Sequence, residues 1–351
     1  MNTKRITCLD YARVFAILCV ILVHTTERVY HLTSGSPVPG GVLSQILRLS
    51  LFALGRVGVP VFLFLTGYLL LDKTYDSEGT VAFYKNKFGC LLFTTELWIV
   101  IYYIFNLIYR HDPISPVSLI KSMLFLKSAP FSHLWYMPVI LGIYLFVPFL
   151  SVALKHIDIK VLYFPFFLAF VYLFVIPVCN VFLKANSCSR FSTLPEFSFS
   201  GGIYGFCVIL GYLVKKDVFK RFSSVFLIIS GFICFCITVF TQYYSAEHGI
   251  SYYVWYDSAT LLIVSLCIFI LFSRISLKSC QWIETLARDS FGIYLVHSGL
   301  NMIVINRISS ADIPLLGSMI LSFIVTLAVS WLIVYFSGKE RHIRKWLFFQ
   351  K

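Results

Sequence analysis

The sequence predicts an all-α membrane protein: a polytopic transmembrane helical bundle of about ten spanning helices, with both termini in the cytoplasm. Of its 351 residues, 59% are apolar and only 13% are charged, and the mean hydropathy is +0.84. Soluble proteins average roughly 25% charged residues, so this chain lacks the polar surface that a water-soluble globule needs. No polar stretch is long enough for a separate soluble domain, and we expect residues 1–351 to form a single membrane domain.

Ten apolar runs are long enough, or nearly long enough, to cross a bilayer, for which an α-helix needs about 20 residues. The sixth and ninth runs are short. In chain order the runs lie at 7–28, 48–72, 89–109, 134–153, 161–183, 200–214, 222–243, 256–273, 290–306 and 315–336. The first run contains Asp10 and Arg13 and has no small-residue cleavage site, so we interpret it as a retained helix rather than a signal peptide.

The distribution of basic residues predicts the orientation. An even number of spans puts both termini on one side of the membrane. With both in the cytoplasm, most of the 29 Lys and Arg residues fall in cytoplasmic segments, as the positive-inside rule requires. We therefore expect a multi-pass protein of the cell (inner or plasma) membrane. The net charge of +13 comes from short clusters that can meet anionic lipid, and without a continuous basic face we expect no nucleic-acid partner.

The ten cysteines lie mostly inside apolar runs, where they are expected to pack as small hydrophobic side chains. Cysteine and histidine do not recur at the spacing typical of zinc sites. The sequence therefore predicts no bound metal.

The first run carries four ionisable residues, Asp10, Arg13, His24 and Glu27, and such residues inside a membrane are candidates for function. Arg13 and His24 are close to three helical turns apart, which puts them on one face, Arg13 near the cytoplasm and His24 near the outer side. Glu27, three residues after His24, is its neighbour on that face. A carboxylate beside an imidazole can fix the tautomer that a general base needs. A packing role for His24 and an interfacial role for Arg13 stay open.

The second run contains Arg56, which should lie well inside the apolar slab and needs an anion or carbonyl partner there. Pro60 frees a backbone carbonyl nearby, and Gly58 and Gly67 permit close helix contact. The fourth run opens with His133, Leu134, Trp135 and Tyr136, and the ninth places His297 about two turns into the membrane. Trp135 and Tyr136 suit an interfacial belt as well as stacking against a substrate.

Four of these patches together resemble the acyltransferase 3 membrane family. They are the arginine, ten residues and histidine from Arg13 to His24; the run from Arg56 to Tyr68, with Thr66 where the family often has serine; the His-Leu-Trp-Tyr of 133–136; and the run from Ser290 to His297. Each patch is weak alone, but they occur in the expected order over most of the chain.

The resemblance implies an acyl-CoA donor, usually acetyl-CoA on the cytoplasmic side, and a hydroxyl on an extracytoplasmic glycan as acceptor, with no permanently bound cofactor. His24 is then the candidate general base and Glu27 its orienting partner. The candidate donor-binding residues are Arg13, Arg56, Tyr68, Lys85 and Lys87, and the candidate acceptor-binding residues are His133, Trp135, Tyr136 and His297. Basic groups at the cytoplasmic mouth suit the phosphates of CoA, and Arg56 could also steady an oxyanion.

Two questions stay open at the level of sequence. The acyl group could pass directly or through an acyl-histidine. The chain could instead be a secondary transporter or flippase for a polar solute, with Arg13, Arg56 and His24 lining its path. Binding or hydrolysis of acetyl-CoA would indicate the enzyme, and solute flux without a donor would indicate the transporter. The acceptor, the acyl group and the oligomeric state are not predicted.

Overall fold

A computed structural model describes residues 7–32, 41–191, 201–276, 278–311 and 313–350, and this part of the chain is helical without any strand. The α-helices are α1 (Thr7–Val29), α2 (Val42–Arg56), α3 (Gly58–Leu70), α4 (Ser77–Phe83), α5 (Gly89–Tyr109), α6 (Pro116–Met123), α7 (Tyr136–Lys155), α8 (Tyr163–Phe170), α9 (Ile176–Ala185), α10 (Gly202–Lys215), α11 (Ser224–Glu247), α12 (Ala259–Arg274), α13 (Gln281–Ile308), α14 (Leu315–Ser337) and α15 (Arg341–Phe348). One π-helical segment, Tyr84–Phe88, joins α4 to α5, and another, Val171–Val175, joins α8 to α9.

The all-α prediction is confirmed, because each of the ten apolar runs is helical over most of its length. Among the described residues, seven helices or joined helices are long and apolar enough to cross a membrane, and α10 and α12 are shorter apolar helices. The count of ten spans and the cytoplasmic location of both termini stay predictions. Lys4, Arg5 and Lys351, which contribute to the predicted orientation, lie outside the described residues.

The chain divides into two compact units. Unit 1 comprises Met1–Lys73 and Ala153–Ala287, and unit 2 comprises Thr74–Val152 and Arg288–Lys351. The division reflects the density of internal contacts and does not test whether the chain acts as one functional domain, which stays a prediction.

In unit 1, α3 and α10 approach so closely that their backbones touch at two glycines. A Cβ added to Gly67 would overlap the carbonyl oxygen of Val208, and one added to Gly211 would overlap that of Phe64. Small residues permit this approach between membrane helices, where packing rather than the hydrophobic effect drives association. Any larger side chain at either position must push the two helices apart.

A third glycine contact sets the position of two candidate site residues. A Cβ on Gly55 would lie 2.5 Å from the backbone nitrogen of Val23, so the end of α2 lies directly against α1. Arg56 follows Gly55, and His24 follows Val23. The close contact therefore fixes the backbones that carry these two side chains next to each other.

An ion pair joins the chain just after α3 to the end of α10. Asp72 lies 3.1 Å from Lys215 Nζ and 2.6 Å from Lys216 Nζ. Burial acts to raise the pKa of Asp72, but hydrogen bonds from Lys216 and Lys215 outweigh it and hold the pKa below its usual value. All three side chains are partly exposed, so we expect each pair to contribute less than about 1 kcal/mol.

In unit 2, polar contacts hold α13 from two sides. The Tyr102 hydroxyl of α5 donates to the carbonyl oxygen of Leu295 at 2.7 Å, and the Asn301 amide donates to the Thr326 hydroxyl of α14 at 3.2 Å. His297 lies between these two points of attachment, so its backbone position is well determined.

Replacing Gly211 with alanine should destabilise the protein. Alanine normally favours a helix over glycine by roughly 0.5–1 kcal/mol, but here the new methyl group meets the backbone of α3, and overpacking typically costs about 1–3 kcal/mol. Gly142→Ala is the matched control, because no atom lies within 4 Å of the Cβ position there. Thermal unfolding in detergent should show a loss for Gly211→Ala and no loss for Gly142→Ala. Equal stability of the two variants would contradict the close contact between α3 and α10.

Candidate active site

The imidazole of His24 and the carboxylate of Glu27 face each other on α1. His24 Nδ1 lies 3.4 Å from Glu27 Oε2, and the two side chains are 13% and 23% exposed. The contact predicted from their spacing is therefore present. A carboxylate opposite Nδ1 favours the tautomer with its proton on Nδ1, which leaves the lone pair on Nε2.

Arg56 is a buried cation held in a cage of aromatic rings. Its guanidinium carbon lies 4.7 Å from the centroid of Phe52, 4.4 Å from Trp255 and 5.5 Å from Tyr256. Its Nη1 donates to the Tyr256 hydroxyl at 3.4 Å. Rings around a desolvated guanidinium stabilise it by about 2 kcal/mol or more, which helps to offset the cost of burial.

One N–H donor of Arg56 is not used by this cage. Its Nε is buried and has no acceptor among the residues that the structure describes. The guanidinium thus keeps one N–H donor for an anionic group.

His24, Glu27 and Arg56 form one site, because Gly55 of α2 lies directly against Val23 of α1 and Glu27 faces His24. We call these three residues with Phe52, Trp255 and Tyr256 the His24 site. It combines a base, a carboxylate that can orient the base, and a cation that can stabilise developing negative charge. This set suits transfer of a group to a hydroxyl or amine.

Arg13 occupies the other end of α1. Its Nη1 lies 2.9 Å from Asp10 Oδ1; the aspartate side chain is 2% exposed and that of the arginine 31%. At 1.5 Å of rise per residue, Arg13 lies about 16 Å along the helix from His24. The two residues therefore share a helix face but not a site.

Tyr68 lies in unit 1 and lines a cavity. The cavity measures about 420 Å³ and is lined by Tyr68, Asp217, Lys220, Ser273 and Arg274, among others. Arg274 donates to the carbonyl oxygens of Phe222 and Phe219 at 2.6 and 2.7 Å, which fixes the loop that carries Lys220. The sequence predicted Tyr68 as a donor-binding residue, but it did not single out Lys220 and Arg274, which line the same cavity.

The remaining donor-binding candidates, Lys85 and Lys87, belong to unit 2. Both lie in the π-helical segment Tyr84–Phe88. Lys87 Nζ lies 5.6 Å from the ring centroid of Phe349, and Lys85 is exposed.

Two of the acceptor-binding candidates form a buried pair in unit 2. The rings of His133 and His297 lie 5.2 Å apart, and both side chains are almost completely buried. Tyr294 links them, because its hydroxyl donates to the carbonyl oxygen of His133 at 2.6 Å and its own carbonyl oxygen lies 2.6 Å from His297 Nδ1. The structure thus brings together two of the sequence patches.

Trp135 and Tyr136 complete this group. Tyr136 packs against Tyr294, and Trp135 packs against Tyr136. Trp135 also lines a cavity of about 560 Å³, together with Ser122 and Lys127. This combination suits a sugar ring. The C–H groups of a sugar can pack on the face of the indole, and its hydroxyl groups can bond to nearby polar side chains.

Sequence reasoning missed several residues of these sites. Trp255 and Tyr256 belong to an aromatic run, 252–256, at the start of the eighth apolar run, and its density of rings was an available signal. Glu96 is the acidic residue of the third run, and its Oε2 is buried without a partner among the described residues. The rule that selected His24 applies equally to Glu96. In the described part of the chain, no group of three or more His, Cys, Asp or Glu could hold a metal ion.

Fold and site together define a multi-pass helical membrane protein in which a histidine, a carboxylate and a caged cation lie close together. The sequence model of the acyltransferase 3 family, described as an acyltransferase domain, matches residues 6–335. The chain belongs to this family.

Two curated proteins are similar to the chain. It is 25% identical over 265 residues to "Putative acetyltransferase ORF330" of Acidianus two-tailed virus, which covers 72% of this chain and 75% of that protein. It is 28% identical over 135 residues to "Amino-acid racemase" of Enterococcus faecalis, which covers 37% of this chain and 17% of the racemase. The chain therefore matches only a small part of the racemase. No solved structure matches it.

Replacing Arg56 with lysine should destabilise the protein even though the charge is kept. A compact ammonium cannot lie flat against Phe52 and Trp255 and also donate to Tyr256, so we expect a loss of about 1–2 kcal/mol. Arg110→Lys is the control, because the Arg110 side chain is 50% exposed. Unfolding in detergent measures both variants. If they are equally stable, the aromatic cage contributes nothing to stability.

Proposed function

We propose that this chain is a membrane-bound acyltransferase that moves an acyl group, in the simplest case acetyl, from cytoplasmic acyl-CoA to a hydroxyl of an extracytoplasmic carbohydrate or glycolipid. The observation that carries the proposal is the His24–Glu27 pair, held beside Arg56 by the contact of Gly55 with Val23, in a chain of the acyltransferase 3 family. Similarity to a protein named as an acetyltransferase supports the acetyl group. The protein works in the cell (inner or plasma) membrane.

The reaction uses the lone pair on His24 Nε2. As the acceptor oxygen attacks the thioester carbonyl carbon, Nε2 takes the hydroxyl proton, and the carbonyl oxygen becomes an oxyanion. The intermediate collapses, the carbon–sulfur bond breaks, and the imidazolium returns its proton to the leaving thiolate. The products are an ester and CoA thiol. Glu27 holds the imidazole in the required tautomer and stabilises the imidazolium.

Arg56 stabilises the oxyanion in this scheme. Its charge is held in place by the aromatic cage before the reaction, and its Nε has no acceptor among the described residues. A donor that is already positioned for developing charge needs no reorganisation during the reaction. This role fits the place of Arg56 beside His24 better than a contact with the phosphates of CoA.

The donor enters at the opposite end of α1. Arg13 lies at that end, and the cavity lined by Tyr68, Lys220 and Arg274 lies in the same unit. Cationic side chains bind phosphate through short, charge-assisted hydrogen bonds. The long pantetheine arm of CoA then carries the thioester along the helix toward His24. Lys85 and Lys87 supply further positive charge on the cytoplasmic side.

The candidate residues for binding the acceptor glycan lie in unit 2. Trp135 stacks on a sugar ring at the mouth of the cavity of about 560 Å³. Tyr136 supports Trp135, and the buried His133–His297 pair fixes the segment that presents both. The rival class, a secondary transporter or flippase, would use the same polar residues to pass a solute and would need no thioester.

Replacing His24 with alanine should lower acyl transfer by about 10²–10⁴-fold, the usual contribution of a general base. Glu27→Gln should be milder, because the amide keeps the shape and a hydrogen-bonding group. The assay measures thiol release from acetyl-CoA in reconstituted vesicles that carry cell-envelope glycans, and mass spectrometry detects acetylated glycan. His156→Ala is the control, since His156 is exposed.

The variants must also be shown to fold and to bind acetyl-CoA. A folded His24→Ala protein that acetylates glycan at the wild-type rate would overturn the mechanism. Solute flux without acetyl-CoA, lost in the same variant, would favour the transporter. An acetylated histidine trapped without acceptor would show that the group passes through His24.

Replacing Lys220 with alanine should weaken acetyl-CoA binding roughly 3- to 10-fold through the loss of one charged contact. Arg13→Lys should also weaken binding, because it keeps the charge but loses the planar donor fork. Calorimetric titration with acetyl-CoA measures both, and Lys160→Ala, at another exposed lysine, is the control. Unchanged affinity in both test variants would remove this end of α1 from the donor site and leave the role of His24 standing.

A further inference from the structure

The C-terminal helix α15 is fastened along the first turns of α5. The last carbonyl oxygens of a helix have no partner within the helix, and here α5 side chains supply the donors. The Thr94 hydroxyl donates to the Trp346 carbonyl oxygen at 2.9 Å, and the Trp98 indole donates to that of Leu347 at 2.7 Å. Because α5 is part of an apolar helix long enough to span a membrane, α15 lies beside a candidate membrane-spanning helix.

An apolar cavity opens between these two helices. It measures about 450 Å³ and is lined by Phe93 and Leu97 of α5 and by His342, Ile343, Trp346 and Leu347 of α15. Phe93 is 50% exposed and Ile343 is 40% exposed. An apolar space bordered by exposed hydrophobic side chains beside a candidate membrane-spanning helix suits a hydrocarbon chain.

The same helix carries a cluster of positive charge. Arg341 and Lys345 are four residues apart and so share a face of α15, and Arg344 lies beside them. The acidic residue next to them, Glu340, is engaged at the start of the helix, where its carboxylate accepts from the Ile343 backbone at 2.7 Å. Arg344 Nε is buried and has no acceptor in the part of the chain that the structure describes.

We infer that α15 and α5 form a binding site for an anionic phospholipid. One acyl chain occupies the cavity beside Phe93 and Leu97, and the phosphate group rests on Arg341, Arg344 and Lys345. The cations explain why the lipid must be anionic, since each basic residue near a membrane surface adds to the attraction for acidic headgroups. The cavity explains why the ligand must be a lipid, because a soluble phosphate has no chain to fill it. This site is independent of acyl transfer.

The experiment compares lipids that differ only in headgroup. Detergent-purified, delipidated protein is titrated with phosphatidylglycerol and with phosphatidylcholine of the same acyl chains. Native mass spectrometry counts bound lipid, and thermal unfolding measures protection. We expect phosphatidylglycerol to be retained and to raise the Tm, and phosphatidylcholine to do neither.

Two variants separate the parts of the site. Arg341→Gln/Lys345→Gln should weaken phosphatidylglycerol binding roughly 30-fold, and Leu97→Trp should abolish retention by filling the cavity. Lys155→Gln/Lys160→Gln, a pair of exposed lysines on unrelated elements, is the matched control. Circular dichroism confirms the fold of each variant, and Lys345→Arg, which keeps the charge, should bind like wild type.

Three outcomes would overturn the inference. Equal protection by the two lipids would show that charge plays no part. Equal protection by glycerol 3-phosphate or acetyl-CoA would indicate a site for soluble phosphate compounds. Full retention in both the double variant and Leu97→Trp would place the lipid elsewhere.

Discussion

The contact on which the His24 site depends is the one between Gly55 and Val23. Two helices in a membrane normally stand about 8–10 Å apart, at a distance set by the side chains between them. At Gly55 of α2 there is no side chain, and the backbone nitrogen of Val23 in α1 lies 2.5 Å from the position that a Cβ would occupy. His24 and Arg56 are each one residue beyond this contact. His24 and Arg56 come together because Gly55 has no side chain to separate the backbones of α1 and α2.

Such a contact has a cost, because burying the charge of Arg56 is unfavourable in a membrane. In the described part of the chain, aromatic rings surround the guanidinium and help to offset this cost. A carboxylate paired directly with Arg56 would neutralise its charge and occupy the N–H donors of its guanidinium. Phe52 and Trp255 stabilise the cation through their faces, which leaves Nε without an acceptor among the described residues. Asp10, by contrast, pairs directly with Arg13 at the other end of α1.

Contacts between residues that are close in sequence could be predicted, whereas contacts between residues far apart in sequence could not. His24 and Glu27 lie three residues apart on a helix, so their contact followed from helical geometry. The ten apolar runs likewise predicted helices, since apolar length is a local property. The cage of Arg56 could not be predicted, because Tyr256 lies 200 residues away and no local period records such a contact. The same holds for Tyr294 and His133, which are 161 residues apart. Glu96 is different, because an acidic residue inside an apolar run is a local signal that would have been enough to predict it.

The separation of Arg13 from His24 bears on the chemistry that one helix can support. Both lie on one face of α1, yet about 16 Å of rise divides them, so a single small ligand cannot touch both. A ligand with a charged head and a long flexible arm can touch both residues, if the head stays with Arg13 and the reactive end reaches His24.

A transported polar solute would need the polar residues to follow one another at short intervals. The long apolar stretch between Arg13 and His24, which includes the buried Ile17 and Val20, does not provide such a path along α1. The spacing that first suggested the family therefore carries a physical meaning of its own: it matches a long acyl carrier better than a solute in transit.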